Sequence, residues 1–352
     1  MEATYSALEV EVAAALSALE VEMAVTLSTE EAKRFMESKR HLLSTPNVVS
    51  LAFRNEKYCG KNTGKKIFRV GVIKKLPKDS IKPPEVFILD SYEHTLADYD
   101  KRVIIPVKIV EDGELVAMGD SPGARAEGGL YMSPDSPAIP PCKGGLMIRN
   151  SQIQETHGCL GANAIYNGTY RLLSAAHVLT GFDRNYLGKE ILVQHKHSTY
   201  LPMGVYVTDQ VDVQVYDSPF VTNPVNATQD LAWADITPEK GSSEIIEIGV
   251  PGPIRAIVPG ERVKLYAGCG RYIVENIEVT YLNAEVRMSF KNPAGQERYV
   301  FFQDVCLVED SAHVDHGDSG SAIVAESDTH LLGILFAHTK KTNCSYFCKL
   351  QP

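Results

Sequence analysis

The chain has 352 residues, of which 44% are hydrophobic and 22% charged, an ordinary composition for a globular protein of two or three domains. Its formal net charge of -9, with no basic tract to offset it, argues against nucleic acid as the main partner. The apolar start is interrupted by glutamates and preceded by no Lys or Arg, so it does not fit a signal peptide. No run of about 18 apolar residues occurs, so we expect no membrane span and a cytoplasmic location.

Residues 1–44 carry apolar side chains at steps of three and four, which predicts two helices. The second helix is predicted to begin at Ser28, because Ser28 and Glu31 have the spacing of a capping box. The first helix is apolar on two sides, so docking to a partner or self-association is as plausible as packing on the chain's own next domain. The predicted apolar face of the second helix comprises Ala32, Phe35, Met36, Leu42 and Leu43.

Residues 45–127 are predicted to form a small α/β domain followed by a linker. The segments "NVVSLAF", "KIFRVGVIKKL", "PEVFIL" and "RVIIPVKIV" have the composition of strands. The Gly- and Pro-rich stretch that follows, "MGDSPGARAEGGLYMSPDSPAIPPCKGG", is typical of a linker. We find no catalytic constellation in this region.

Residues 128–352 alternate short apolar runs with turn signals such as Asn167-Gly168. About a dozen short strands over this length predict an all-β sandwich or a pair of β-barrels. The chain is therefore predicted to belong to the mainly β class. On the barrel alternative, the first barrel spans 128–240 and the second 241–352.

The stretch "HVDHGDSGSAIV" places Ser319 between glycines, directly before an apolar run. A serine hydroxyl becomes a nucleophile when a histidine takes its proton, and a buried carboxylate usually orients that histidine. His177 follows the apolar strand of "LLSAAHVL", and Asp230 precedes the apolar run of "QDLAWADI". An Asp at the start of a buried strand needs a partner. These three residues are the candidate catalytic group.

The motifs "SAAHV", "DLAWADI" and "GDSGSAI" resemble the active-site motifs of the trypsin-like, chymotrypsin-fold serine proteases, in that family's chain order. The resemblance implies two six-stranded antiparallel barrels with the active site between them. It implies that His177 is the general base, Asp230 its orienting carboxylate and Ser319 the nucleophile. The backbone amides of Gly317 and Ser319 would form the oxyanion hole.

Val178 stands where secreted trypsins have a cysteine, and no activation cleavage site is apparent. Both departures indicate an intracellular enzyme, in which Asp318 requires another partner or the site is switched by other means. "TPNVVSLAF" and "FRVGVIKKLP" extend the resemblance to bacterial relatives of the plant narrow-leaf trypsin-like proteins, which place a small α/β domain before the protease core.

By the same resemblance, the primary substrate pocket would be lined by His313, His316, Phe336, Ala337 and His338. Imidazoles near the pocket would favour an acidic, amide or small apolar side chain over Arg or Lys. Asp315 could reverse that preference by facing the pocket.

The chain has seven cysteines at spacings that suggest no disulfide framework, so reduced thiols are expected. His195 and His197 have no evident third metal ligand, and we predict neither a metal site nor a cofactor.

The sequence thus predicts an intracellular serine endopeptidase that cleaves a protein substrate and is regulated by its N-terminal region. Two alternatives stay open: a trypsin-fold binding module without turnover, and an esterase that uses the same residues. The residues do not select between a role in bacterial stress response and a role in defence.

Overall fold

The computed structural model describes most of the chain from Leu27 onward. The described residues are 27–58, 61–76, 88–89, 91–96, 102–117, 141–153, 156–196, 199–258, 260–268, 272–292, 294–309, 314–315, 317–339 and 341–352. The predicted first helix and most of the predicted linker lie outside them.

Helix α1 spans Thr29–Lys39 and continues into a 3-10 helix over Arg40–Ser44. The Ser28 hydroxyl caps α1 by accepting a hydrogen bond from the Glu31 amide at 3.1 Å, which confirms the predicted start of this helix. The helical segment packs on the sheet that follows. Its buried apolar residues are Leu27, Phe35, Met36, Leu42 and Leu43, whereas Ala32 is half-buried.

Five strands follow the helices: β1 (Val48–Tyr58), β2 (Lys61–Val72), β3 (Ser91–Thr95), β4 (Arg102–Glu111) and β5 (Leu115–Ala117). β1 and β2 form an antiparallel hairpin, β4 adds to β2 in parallel, and β3 pairs with β4 antiparallel. α1 covers one face of this sheet, and both contribute to one apolar core.

Strand β6 (Cys142–Gly144) pairs in parallel with a later strand, Gly241–Ile245. The first barrel comprises β7 (Met147–Asn150), β8 (Gly158–Cys159), β9 (Ala162–Tyr166), β10 (Thr169–Ser174), helix α2 (Ala176–Leu179), a 3-10 helix (Arg184–Tyr186), β11 (Glu190–Lys196), β12 (Thr199–Tyr206), β13 (Asp209–Gln210) and β14 (Ala232–Asp235). Its two antiparallel sheets have the orders β13-β14-β10-β9 and β12-β11-β7-β8. Along the chain, β8 of one sheet is followed by β9 of the other, and β12 is followed by β13 in the same way. The two sheets are thus connected directly, and their buried apolar residues belong to one core.

The remaining strands are β15 (Gly241–Ile245), β16 (Gly252–Ile254), β17 (Arg262–Ala267), β18 (Tyr272–Lys291), β19 (Glu297–Val308), β20 (Ala322–Ala325), β21 (His330–Thr339) and β22 (Ser345–Lys349). Six of them follow the order β17-β20-β21-β22-β19-β18, and pairing of β17 with β18 closes the ring. Every pair in the ring is antiparallel. The predicted mainly β, chymotrypsin-like double barrel is confirmed.

The N-terminal sheet is continuous with the second barrel. Strand β18 is 20 residues long; its first part pairs with β17, and its later part pairs with β1 through Glu285 and Val286. Beside it, Arg40 donates to the Glu285 carboxylate, so the helical segment is tied to the same strand. Strand β1 is therefore paired directly with a strand of the second barrel. The domain boundaries given above stay predictions.

A buried ion pair lies where the N-terminal sheet meets the barrel. Arg69 on β2 is 1% exposed and donates two hydrogen bonds to the fully buried Asp112 carboxylate, at 2.6 and 2.8 Å. Ser50 and Thr342 also donate to that carboxylate, at 3.2 and 2.8 Å. Gly71 leaves the necessary room, because a Cβ there would collide with the Asp112 carboxylate and the Ser50 hydroxyl.

The five described cysteines, Cys142, Cys159, Cys306, Cys344 and Cys348, are buried free thiols. No helix in the described ranges is long and apolar enough to cross a membrane. Over the same ranges, His, Cys, Asp and Glu form no group of three or more suited to a metal ion.

We predict that Arg69→Ala lowers the free energy of unfolding by about 3–5 kcal/mol, because it leaves the Asp112 carboxylate buried without its cation. Urea denaturation measures the change. Arg102→Ala is the matched control, since Arg102 pairs with Glu93 on the same sheet with both side chains at least 70% exposed. It should change stability by less than about 0.5 kcal/mol. Equal losses in the two variants would contradict the assignment.

Candidate active site

His177 lies in α2, the single turn of helix that follows β10. Ala175 is extended and Ala176 small and buried, so the chain can turn sharply and direct the imidazole into the protein. Asp230 binds this turn twice. Its Oδ1 accepts from the His177 backbone amide at 3.1 Å, and its Oδ2 lies 2.6 Å from His177 Nδ1.

The Asp230 carboxylate is fully buried at the end of the segment that leads into β14. A carboxylate oxygen accepts, so the proton between the two side chains belongs to His177 Nδ1. The Cys348 thiol of the second barrel lies 3.6 Å from the Asp230 carbonyl oxygen and 3.4 Å from that of Ile334. Burial raises the pKa of Cys348 to about 12, so this thiol stays protonated and donates.

The other imidazole nitrogen, His177 Nε2, is buried and has no hydrogen-bond partner in the described part of the chain. With the proton on Nδ1, Nε2 carries a free lone pair, which is the form that a general base requires. The Phe182 ring lies 6.0 Å from the imidazole and contacts Phe290, whose ring centroid is 4.9 Å away. Phe182 thus places an apolar wall beside the base.

Ser319 lies in a tight turn held between the two barrels. Gly317 and Gly320 have φ angles of 96° and 93°, which an L-residue rarely adopts. The Cys159 amide on β8 donates to the Ser319 carbonyl at 2.6 Å, and the Gly320 amide donates to Leu335 on β21 at 2.8 Å. This turn therefore takes its position from a strand of each barrel.

The Ser319 hydroxyl is fully buried and donates to the carbonyl oxygen of Phe336 on β21 at 2.9 Å. It makes no hydrogen bond to His177 Nε2. The structure thus forms the predicted contact between His177 and Asp230, while the Ser319 hydroxyl is turned toward β21. Nothing in the local sequence indicates this acceptor.

The backbone amides of Gly317 and Ser319 donate no hydrogen bond to any other described residue. The intervening Asp318 is fully buried, and its carboxylate accepts from the Asp315 amide at 2.9 Å. Asp318 in turn donates its own amide to the Asp315 carbonyl at 3.1 Å. One partner of Asp318 is thus a neighbouring loop residue.

Of the predicted pocket residues, His313 and His316 lie outside the described residues. Phe336 and Ala337 are fully buried in β21, and the Phe336 ring packs 5.0 Å from Phe302. His338 is half-buried, with Nδ1 3.0 Å from the Ser345 hydroxyl. The three described members are contiguous in β21, and the first of them, Phe336, contacts the Ser319 hydroxyl.

No family model matches this chain, and no curated protein matches its sequence. Among solved structures, a catalytically inactive tobacco etch virus protease complexed with substrate is 12% identical, with 58% of this chain and 77% of that one covered and a TM-score of 0.26. The thermostable serine protease AL20 from an extremophilic microorganism is also 12% identical, with 59% and 90% covered and a TM-score of 0.34. The NS6 protease of murine norovirus 1 is 12% identical, with 52% and 81% covered and a TM-score of 0.26. These neighbours are all proteases, but their likeness to this chain is too weak to assign an activity.

We predict that Gly320→Ala destabilises the protein by roughly 3 kcal/mol or more, because φ is positive and the new Cβ would collide with the Cys159 carbonyl and the Ser174 hydroxyl. Gly188→Ala is the matched control. Its φ is 72° but open space surrounds the position, so the loss should be about 1 kcal/mol. Thermal or urea unfolding compares them. Equal losses would mean that the Ser319 turn is not held tightly by β8 and β10.

Proposed function

We propose that this chain is a serine endopeptidase in which His177 is the general base, Asp230 orients it and Ser319 is the nucleophile. The observation that carries the proposal is the buried His177–Asp230 pair at 2.6 Å, with a free Nε2 on the opposite side of the ring. A histidine that served packing alone would be expected to have both nitrogens satisfied. Here the unsatisfied nitrogen belongs to the ring whose other nitrogen a carboxylate fixes.

Catalysis on this geometry begins with a rotation of the Ser319 side chain. Its hydroxyl leaves the Phe336 carbonyl and turns toward His177 Nε2, which takes the proton as the oxygen attacks the scissile carbonyl carbon. The resulting imidazolium is stabilised by Asp230. The same proton then passes to the leaving amine, and water hydrolyses the acyl-enzyme in a second round of the same steps.

The amides of Gly317 and Ser319 supply the second element of the mechanism. Both are unpaired within the described residues, and the positive φ of Gly317 orients the backbone of the turn. Two preorganised donors at a developing oxyanion are worth about 3–4 kcal/mol each in barrier height. The mechanism requires no metal or cofactor, because the nucleophile, the base and the donors belong to the chain itself.

We place the enzyme in the cytoplasm, in line with the absence of a cysteine framework in its sequence. We group it with the bacterial relatives of the plant narrow-leaf proteins, whose motifs correspond here to β1 and β2. A docking or self-association role for residues 1–44 would rest on residues 1–26, because the apolar face from Leu27 onward is already covered by the chain's own sheet.

Ser319→Ala and His177→Ala are each predicted to lower kcat/KM for peptide hydrolysis by about 10⁴-fold or more. Asp230→Asn should lose most activity, since it favours the wrong imidazole tautomer. A fluorophosphonate probe, followed by mass spectrometry, should label Ser319 in the unmodified protein and not in His177→Ala. Ser321→Ala is the matched control: its buried hydroxyl, two residues away, donates to the Tyr266 carbonyl at 3.1 Å, and the variant should keep activity.

Comparison of proteomes treated with the unmodified protein and with Ser319→Ala tests the substrate class. New protein termini that depend on Ser319 are expected. Labelling and ester hydrolysis without such termini would favour an esterase. A folded protein with no labelling at all would favour a binding module, for which the Ser319–Phe336 hydrogen bond would be the functional arrangement.

For the substrate residue on the acyl side of the cleaved bond, we predict a preference for an acidic, amide or small apolar side chain over Arg or Lys. The reason is that the predicted pocket residues His313, His316 and His338 can donate hydrogen bonds. A positional peptide library measures this. His313→Ala and His338→Ala should weaken the selection, while His330→Ala, at the far end of β21, should not. Strong selection for Arg or Lys that neither pocket variant changes would show that the pocket residues are misassigned.

A further inference from the structure

Strand β21 runs past the candidate nucleophile. The Phe336 carbonyl accepts the Ser319 hydroxyl at 2.9 Å, so the residues that follow, Ala337 to Thr339, begin one residue from the reacting group. A polypeptide that passes the nucleophile in extended form would add to an edge of this strand by backbone pairing, which is a general mode of peptide recognition.

The chain's own strand β5 already occupies that edge. Leu115, Val116 and Ala117 pair antiparallel with Thr339, His338 and Ala337 respectively. β5 therefore runs toward Phe336 and the Ser319 turn as it goes from Leu115 to Ala117. On its other side, Val116 pairs in parallel with Ser289 of β18, so β5 fills the space between the two strands.

Strand β5 is buried but very short. Leu115 and Ala117 are 2% and 0% exposed, and they belong to the same apolar core as Phe302 and Phe336. The strand has only three residues, so few backbone hydrogen bonds hold it. Loss of one backbone hydrogen bond should consequently lower markedly the fraction of molecules in which β5 is paired with β21.

A firm anchor lies directly upstream. Asp112 is held by Arg69 through two hydrogen bonds and by Thr342 at 2.8 Å. Its backbone amide donates to Val72 at 2.9 Å, and its carbonyl accepts from the Lys341 amide at 3.1 Å. The anchor keeps the three-residue strand beside β21 even when the strand itself unpairs, which makes rebinding intramolecular.

We propose that β5 is an autoinhibitory strand: residues 115–117 occupy the backbone edge of β21 that an extended peptide substrate would use, and their release opens the cleft. This inference rests on the proposed peptidase function. The Ser319 hydroxyl bonded to Phe336, away from His177, is the resting arrangement that accompanies the filled edge.

The first test is Val116→Pro. Val116 pairs on both sides of β5, so a proline there removes a ladder donor whichever side its amide faces. We expect kcat/KM for an extended peptide, per active site titrated with fluorophosphonate, to rise about fivefold to tenfold. Ile254→Pro is the matched control, because it lies in β16, another three-residue strand, which pairs with the opposite end of β21 at Leu331. It should leave kcat/KM unchanged.

The second test locks the strand in place. Ala117 and Ala337 are direct register partners, so the double variant Ala117→Cys/Ala337→Cys places two thiols at cross-strand distance. Oxidation should lower peptide hydrolysis at least about tenfold, and reduction of the same sample should restore it. Ala117→Cys alone should show no redox response. This test keeps its meaning if Val116→Pro fails to fold.

The outcomes separate the two proposals. Labelled Ser319 with equal peptide hydrolysis in Val116→Pro and the unmodified protein, and no redox response in the double variant, would overturn autoinhibition and leave the peptidase intact. Folded proteins in which Ser319 is never labelled and no peptide is cut would overturn the peptidase and, with it, the autoinhibitory strand.

Discussion

The buried pair of Arg69 and Asp112 is the interaction on which the arrangement of the N-terminal region depends. Two charges removed from water are stabilised only if their remaining donors and acceptors are also satisfied. Ser50 and Thr342 complete the carboxylate's hydrogen bonds, and they come from β1 and from the turn before β22. Three distant parts of the sequence must therefore meet at one point, and the N-terminal sheet takes its place against the second barrel as a consequence.

The long strand β18 extends the same coupling into the site. Its early residues close the second barrel, its later residues carry β1, and Phe290 near its end packs against Phe182 beside His177. On the partner strand, Phe302 contacts Phe336, whose carbonyl holds Ser319. Packed side chains thus connect the N-terminal sheet to both the proposed base and the proposed nucleophile.

Local patterns predicted much of this molecule because they reflect local physics. The capping box at Ser28 marks a helix start, and short alternating runs between turn residues mark strands, so the mainly β class followed from local patterns. The choice of a double barrel over a sandwich came from the motif resemblance. The sequence predicted that Asp230 has a polar or charged partner, since a carboxylate at the start of a buried strand needs one. The motif resemblance named the partner, and the structure gives the contact.

The remaining features depend on pairings between residues far apart in the chain, which no local pattern specifies. In the sequence, Arg69 resembles any charged residue of an amphipathic strand, and nothing near it indicates that it is buried beside Asp112. β5 is only three residues long and adjoins a Gly- and Pro-rich stretch, so no local pattern marks it as a strand. Its pairing with β21 makes it one. For the same reason the sequence does not reveal that β1 pairs with Glu285 and Val286, because this pairing crosses more than half of the sequence.

On the proposed function, the occupied edge of β21 changes what a substrate must do to be cut. A tethered strand competes at an effective concentration of the order of millimolar, whatever the dilution of the protein. A short peptide with only backbone hydrogen bonds to offer would lose that competition. A substrate with side chains that bind elsewhere in the cleft, or a partner that draws residues 115–117 away, would win it. On the proposed function, selectivity therefore arises from the free energy needed to displace the chain's own strand as well as from the fit of one side chain in the pocket.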